Sequence, residues 1–157
     1  MTNNDILRRL RFLLDYNDQK MIDTFSLAEY EVDKTDVVDW LAKEEDPLFK
    51  EISDMELAIF LNGLIIEKRG RRDGPLPEPE HPLSNNMILQ KLRIAFKLTS
   101  DDILELFASV SVDLSKHELS AFFRNPKHRS YRELLDQYLR NFLTALQNQK
   151  IKQKGNS

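Results

Sequence analysis

The apolar positions of this chain fall at helical spacing from one end to the other. Ile6, Leu7, Leu10, Leu13 and Leu14 form one stripe of a first helix, which Asn3 or Asn4 is placed to cap. Met21, Ile22 and Phe25 mark a second helix with Asn17 or Asp18 at its start. Val37, Trp40 and Leu41 mark a short third one after Asp33. The fourth, around "MELAIFLNGLII", is apolar on nearly every side, the pattern of burial rather than of a half-wet face. No stretch alternates apolar and polar residues as a half-buried strand does.

The same pattern then returns. A shift of 82 residues aligns 3–66 with 85–148 without a gap and matches 14 residues of 64. A composition like this gives about four matches by chance. Asn3, Asn4, Ile6, Leu7, Leu10 and Arg11 meet Asn85, Asn86, Ile88, Leu89, Leu92 and Arg93, and Asp54 meets Asp136. The exchanges Met21 for Ile103, Val37 for Leu119 and Trp40 for Phe122 keep the apolar register. The second copy carries two capping-box patterns, Ser115 with Glu118 and Ser130 with Glu133. The latter is expected to open a long helix striped by Tyr131, Leu134, Leu135, Tyr138, Leu139, Phe142, Leu143 and Leu146.

Residues 69–84, "RGRRDGPLPEPEHPLS", hold four of the six prolines and read as an extended, semi-rigid spacer. The predicted architecture is all-α, with two tandem four-helix repeats, 1–68 and 85–149, joined by the Pro-rich linker 69–84. The repeats are expected to pack as a pseudo-dimer along an apolar seam of Ile59, Leu61, Ile65 and Ile66. A polar, disordered tail is expected over 150–157.

Composition narrows the chemistry. In 157 residues, 41% are hydrophobic and 31% charged, enough apolar mass for a packed core. The absence of cysteine excludes disulfides, thiolate nucleophiles and Cys-ligated zinc. Charge begins at Asp5 and Arg8, with no apolar leader, and no apolar run approaches the roughly 20 residues that span a bilayer. A cytoplasmic protein with no membrane partner is expected.

His81, His117 and His128 stand at no recognisable spacing from a serine or threonine, so they read as solvated or locally bonded. Asp36 with Asp39, and Glu44, Glu45 and Asp46, read as solvated acids, since nothing resembles a calcium loop. The glycines are isolated, which leaves no phosphate cradle. No catalytic residue, metal or cofactor is expected, and an enzyme is not.

Arg11 and Arg93 lie beside the first helix's apolar stripe, and Asp54 and Asp136 lie near the start of the fourth. The simplest reading is two ion pairs, Arg11 with Asp54 and Arg93 with Asp136, tying helix one to helix four. The alternative is two equivalent anion sites.

Charge is where the copies part. Residues 3–66 carry a net −8 and residues 85–148 a net +2. "AKEEDPLFKE" (42–51) in the first faces "RNPKHRSYRE" (124–133) in the second. Arg124, Lys127, His128, Arg129 and Arg132 therefore form a candidate surface for RNA or DNA, with a second basic run at Lys68, Arg69, Arg71 and Arg72. The rival is an adaptor for a protein partner through the acidic copy, or a homo-oligomer through the apolar seam. Val32, Val37 and Trp40 loosely suggest a helix-turn-helix, but the turn lacks glycine, and Asp36 and Asp39 would repel phosphate.

The doubled "NN-x-IL-x-x-LR", with "FLNGLIIEKRG" and "ELSAFFRNPKHRSYRELLDQYLRNFL", resembles the bacterial YehS-like proteins, built from a tandem domain of unknown function. The resemblance covers nearly the whole chain. It implies a small cytosolic bacterial protein and assigns no activity and no residue role.

Overall fold

Each run of helical spacing becomes a helix in a computed structural model that describes residues 1–155. These are α1 (Asn3–Leu14), α2 (Asp18–Leu27), α3 (Lys34–Leu41), α4 (Asp54–Arg69), α5 (Asn85–Ala95), α6 (Ser100–Ser109), α7 (Lys116–Phe122) and α8 (Asp136–Gly155). No strand occurs among the described residues. The chain divides after Leu83 into two compact units of four helices each.

The doubling holds in three dimensions. Fifteen apolar positions of the first repeat are buried, from Ile6 through Met21, Phe25, Val37 and Trp40 to Leu64. Thirteen of them have a buried apolar counterpart 82 residues later, from Ile88 through Ile103, Phe107, Leu119 and Phe122 to Leu146; the exceptions, Ala58 and Ile59, meet Arg140 and Asn141. In the first repeat Phe25 centres the core, its ring 5.3 Å from Trp40 and 5.2 Å from Phe60. The second repeat keeps Phe107 against Phe142 at 5.7 Å. There Phe122 is smaller than Trp40, and Tyr138, which stands where the first repeat has Glu56, fills in between Phe107 and Phe122. Volume is conserved across the pair of exchanges, the kind of core change that costs least.

Backbone detail repeats as well. Asp15 and Glu29 sit at φ 59°, and their counterparts Lys97 and Ser111 at 54° and 63°. None is glycine; each ends a helix in a left-handed turn closed by local backbone bonds, as Tyr16 N–H to the Arg11 carbonyl and Leu98 N–H to the Arg93 carbonyl.

Asn17 caps α2 and the Ser115–Glu118 capping box opens α7 as expected, but the cap of α1 is corrected. Thr2, not Asn3 or Asn4, caps α1: its hydroxyl accepts the Asp5 N–H at 3.1 Å, and the Asp5 carboxylate accepts the Thr2 N–H at 3.0 Å. Both asparagines are thereby released for long-range work. Asn4, 2% exposed, donates to the carbonyls of Trp40 and Lys50, both at 2.8 Å, and accepts the Ile52 N–H at 3.2 Å. Asn86 makes the same three bonds to Phe122, Arg132 and Leu134. Asn3 donates to Asp54 at 2.7 Å and Asn85 to Asp136 at 2.7 Å.

This clamp also explains a second correction. Ser130 and Glu133 do not open a helix; α8 begins at Asp136, and Tyr131, Leu134 and Leu135 lie in the segment before it. The backbone of 132–134 is bonded to Asn86, and the Arg132 N–H to the Ala121 carbonyl, so it is unavailable to a helical ladder.

Other boundaries shift. Arg69 closes α4 and Ser84 caps α5, so the irregular stretch is 70–83. It is laid back on the first repeat: Leu83 N–H donates to Asp54 at 3.0 Å, and Arg71 meets Glu29 at 3.2 Å. In the tail expected over 150–157, α8 continues to Gly155, and residues 156–157 lie outside the described residues. The connection of α2 to α3 runs over 28–33, longer than the three- or four-residue turn of a helix-turn-helix.

Asp54 carries a pH dependence. The Asn3 amide and then the Leu83 N–H hold its carboxyl below the usual carboxylate range. A depressed folded-state value contributes stability that is full above the unfolded value of about 3.9 and is lost as pH falls through the folded one. Asp54→Asn should therefore lower the urea midpoint at neutral pH, and the gap to wild type should narrow as pH drops below about 4.

Candidate anion-binding loop of the second repeat

Residues 123–135, between α7 and α8, carry most of the sequence-predicted site. Asn125 and Pro126 open a tight turn in which the Asn125 carbonyl accepts the His128 N–H at 2.8 Å and its side chain accepts the Lys127 N–H at 2.9 Å. A second turn follows: the His128 carbonyl accepts the Tyr131 N–H, and His128 Nδ1 accepts the Ser130 N–H at 3.0 Å. His128 is thus used as an acceptor that shapes the loop, with its ring proton on Nε2.

Asn125 through Arg129 are exposed, as is Arg132, and no ion pair engages Lys127 or Arg129 among the described residues. Arg124 stands at the loop's base, partly buried, with its Nε enclosed and without a hydrogen-bond partner. An enclosed guanidinium donor left unmade is costly, so this arginine is poised to gain from an acceptor. Arg132 is partly offset by Glu118.

The first repeat builds the same loop with the opposite sign. The Lys43 carbonyl accepts from Asp46, the Asp46 carbonyl from Phe49, and Lys50 N–H donates to the Asp39 carbonyl. Asp46 Oδ1 accepts the Leu48 N–H at 2.9 Å, the role His128 Nδ1 plays 82 residues later. Glu44, Glu45 and Asp46 are exposed there. At the loop's base, Arg8 on α1 donates to the Ala42 carbonyl at 2.7 Å. The second repeat has Gln90 on the helix and Arg124 on the loop, so the arginine has changed sides.

The expected ion pairs are redistributed. Arg11 meets Asp18 at 2.9 Å and the Tyr16 carbonyl at 3.0 Å, while Asp54 takes its bonds from Asn3 and Leu83. Arg93 lies over the Phe123 ring at 4.9 Å, and Asp136 accepts from Asn85, whose amide holds its carboxyl below the usual range. In each repeat, asparagine ties helix one to helix four. The contact with Phe123, the residue before Arg124, brings the Arg93 cation to the start of the loop, which spacing alone does not reveal.

Of the second basic run, Lys68 lies 3.7 Å from Glu67 and Arg71 3.2 Å from Glu29, so two of the four cations are matched within their own repeat. Lys68 and Arg69 end α4, and Arg71 and Arg72 follow it, exposed. Near them lies a cluster that sequence reasoning missed: Tyr16 donates to Glu67 at 2.7 Å, and Lys20 reaches Glu67 at 3.3 Å. Burial and then Glu67 push the Tyr16 hydroxyl well above its ordinary value. Leu98, Asp102 and Gln149 stand at the matching positions, so the cluster is peculiar to the first repeat.

Among the described residues, no group of three or more His, Asp or Glu is arranged to hold a metal ion, and no helix is long and apolar enough to cross a membrane.

The geometry defines a class: an all-α protein made of a duplicated four-helix unit with asparagine clamps. A family described as "Protein of unknown function (DUF1456)" matches residues 3–70 and again 85–151, and the chain belongs to it. The chain is 40% identical over 156 residues to the "Uncharacterized protein YehS" of Escherichia coli (strain K12), covering 99% of this chain and 100% of that one. No solved structure matches.

Proposed function

We propose that this chain is a non-enzymatic binding protein of the bacterial cytoplasm that holds a polyanion, RNA or DNA, on the 124–132 loop of its second repeat. One observation carries the reading: the two repeats build the same loop on the same backbone turns, and where the first sets Lys43 among Glu44, Glu45 and Asp46, the second presents Lys127 and Arg129 with no acid between them. The scaffold is shared, so the sign of the loop is what distinguishes the copies. The first repeat, at −8, repels phosphate and is assigned a structural part in this binding.

Lys127 and Arg129 are exposed on tight turns and serve as phosphate contacts, while Arg124 brings an enclosed donor. Such contacts position a backbone and carry no base readout, so binding should tolerate sequence.

With about three phosphates engaged, log K should fall against log salt with a slope near −2 to −3. Retention on heparin and binding to a single-stranded oligonucleotide at low salt are expected. Arg124→Ala, Lys127→Ala and Arg129→Ala together should abolish retention while leaving the helical circular-dichroism signal unchanged. Absence of retention at low salt, or equal retention of the triple variant, overturns the reading.

A further inference from the structure

The two repeats differ in a second respect that the polyanion reading does not use. Leu27, Val38 and Leu48 of the first repeat are 38%, 42% and 63% exposed. Serine stands at all three matching positions of the second repeat, Ser109, Ser120 and Ser130. A duplicated scaffold that tolerates serine at these positions does not need leucine or valine there for its own folding. The Lys50 N–H donates to the Asp39 carbonyl at 3.1 Å, which ties the 42–53 loop to α3 through residues one position from Val38 and two from Leu48. Glu44 and Glu45 lie on that loop, exposed and without an ion pair among the described residues.

What fits an acidic edge with an exposed leucine is a basic edge with an exposed leucine, and the same chain carries one. The second repeat's loop presents Lys127 and Arg129, and Leu135 beyond it is 59% exposed. We propose that the 42–53 loop of one chain docks on the 124–135 loop of a second copy. Opposite charges set partner and orientation, and the leucines supply apolar contact at the centre. Each chain then offers one acidic and one basic loop to a second copy. This proposal needs the basic loop only to be exposed and unpaired, so it stands independently of nucleic-acid binding.

Charge exchange tests it on the full chain, with variants confined to exposed side chains that hold no turn. Sedimentation at low salt should show wild-type self-association that weakens as salt rises. Glu44→Lys with Glu45→Lys should weaken it at least about tenfold, as should Lys127→Glu with Arg129→Glu. Mixing these two variants should restore association, since one offers two basic loops and the other two acidic ones. Leu48→Ser, the residue the second repeat carries, should weaken association several-fold without changing the salt slope. Matching thermal melts of each variant alone confirm that the fold is intact. A monomeric wild type at the highest soluble concentration, association indifferent to the reversals, or a mixture that stays monomeric overturns the proposal. The first of these, with heparin retention kept, removes self-association and leaves the polyanion reading standing.

Discussion

Asn86→Ala should cost on the order of 3–5 kcal/mol, and Asn4→Ala should cost as much in the other repeat. Asn86 is 6% exposed and satisfies three backbone groups: the carbonyls of Phe122 and Arg132 and the N–H of Leu134. Alanine leaves two buried groups, the Phe122 carbonyl and the Leu134 N–H, without this partner at about 1–3 kcal/mol each, and the part-buried Arg132 carbonyl at less because water reaches it. Against a typical total of about 5–15 kcal/mol, such a loss brings the repeat close to unfolding. Asn3→Ala is the control. Asn3 is only partly buried, and its main partner Asp54 still has the Leu83 N–H, so about 1 kcal/mol is expected. Urea midpoints rank the variants. Hydrogen exchange locates the damage, with the Ile52 amide losing protection in Asn4→Ala and the Leu134 amide in Asn86→Ala. Asn4→Asp should not rescue, because it keeps the acceptor for Ile52 but loses both donors and buries a charge.

These asparagines mark where sequence reasoning reached its limit. They are the second matched pair of the duplication, yet local propensity assigns an asparagine at a helix start to capping, and Thr2 takes that part. Their true partners lie 36–48 residues away, at the end of the third helix and on the irregular segment after it, which periodicity cannot see. The same blindness produced the false helix start at Ser130. "SYRE" satisfies the local pattern for a capping box, and a buried side chain from α5 overrides it. Recurrence pairs Arg11 with Asp54, but only residues 15–17 separate α1 from α2. An arginine in the last turn of α1 therefore meets Asp18 at the start of α2.

The core, by contrast, was legible almost in full, because burial writes a period into the chain at each helix and the duplication reads it twice. The charge of the candidate loop was legible for the same reason. Its shape, two tight turns held by Asp46 in one repeat and His128 in the other, was not, since a carboxylate and an imidazole share the acceptor role without resembling each other in sequence.

Gly63→Ala should be the other severe substitution, and its partner position shows why. A Cβ on Gly63 would stand 2.0 Å from the Thr24 carbonyl oxygen and 2.9 Å from its carbon. Both are backbone atoms of α2, itself tightened by the Thr24 hydroxyl donating to the Lys20 carbonyl at 2.8 Å, so no rotamer change relieves the clash. Alanine gains about 1 kcal/mol of helix propensity over glycine, but α2 and α4 must separate, at a cost of about 1–3 kcal/mol or more. Net destabilisation is expected. In the second repeat the matching residue is Ala145, buried at 1% exposure, opposite Leu106 rather than threonine. There the methyl group is part of the packing, and Ala145→Gly should cost about 1 kcal/mol from propensity together with a small void. The same pair of residues exchanged in opposite directions thus destabilises both repeats for different reasons. Thr24→Ala separates them. It removes the side chain but not the carbonyl, so it should fail to rescue Gly63→Ala in thermal melts. A rescue would mean that the side chain, not the backbone, sets the spacing of α2 and α4.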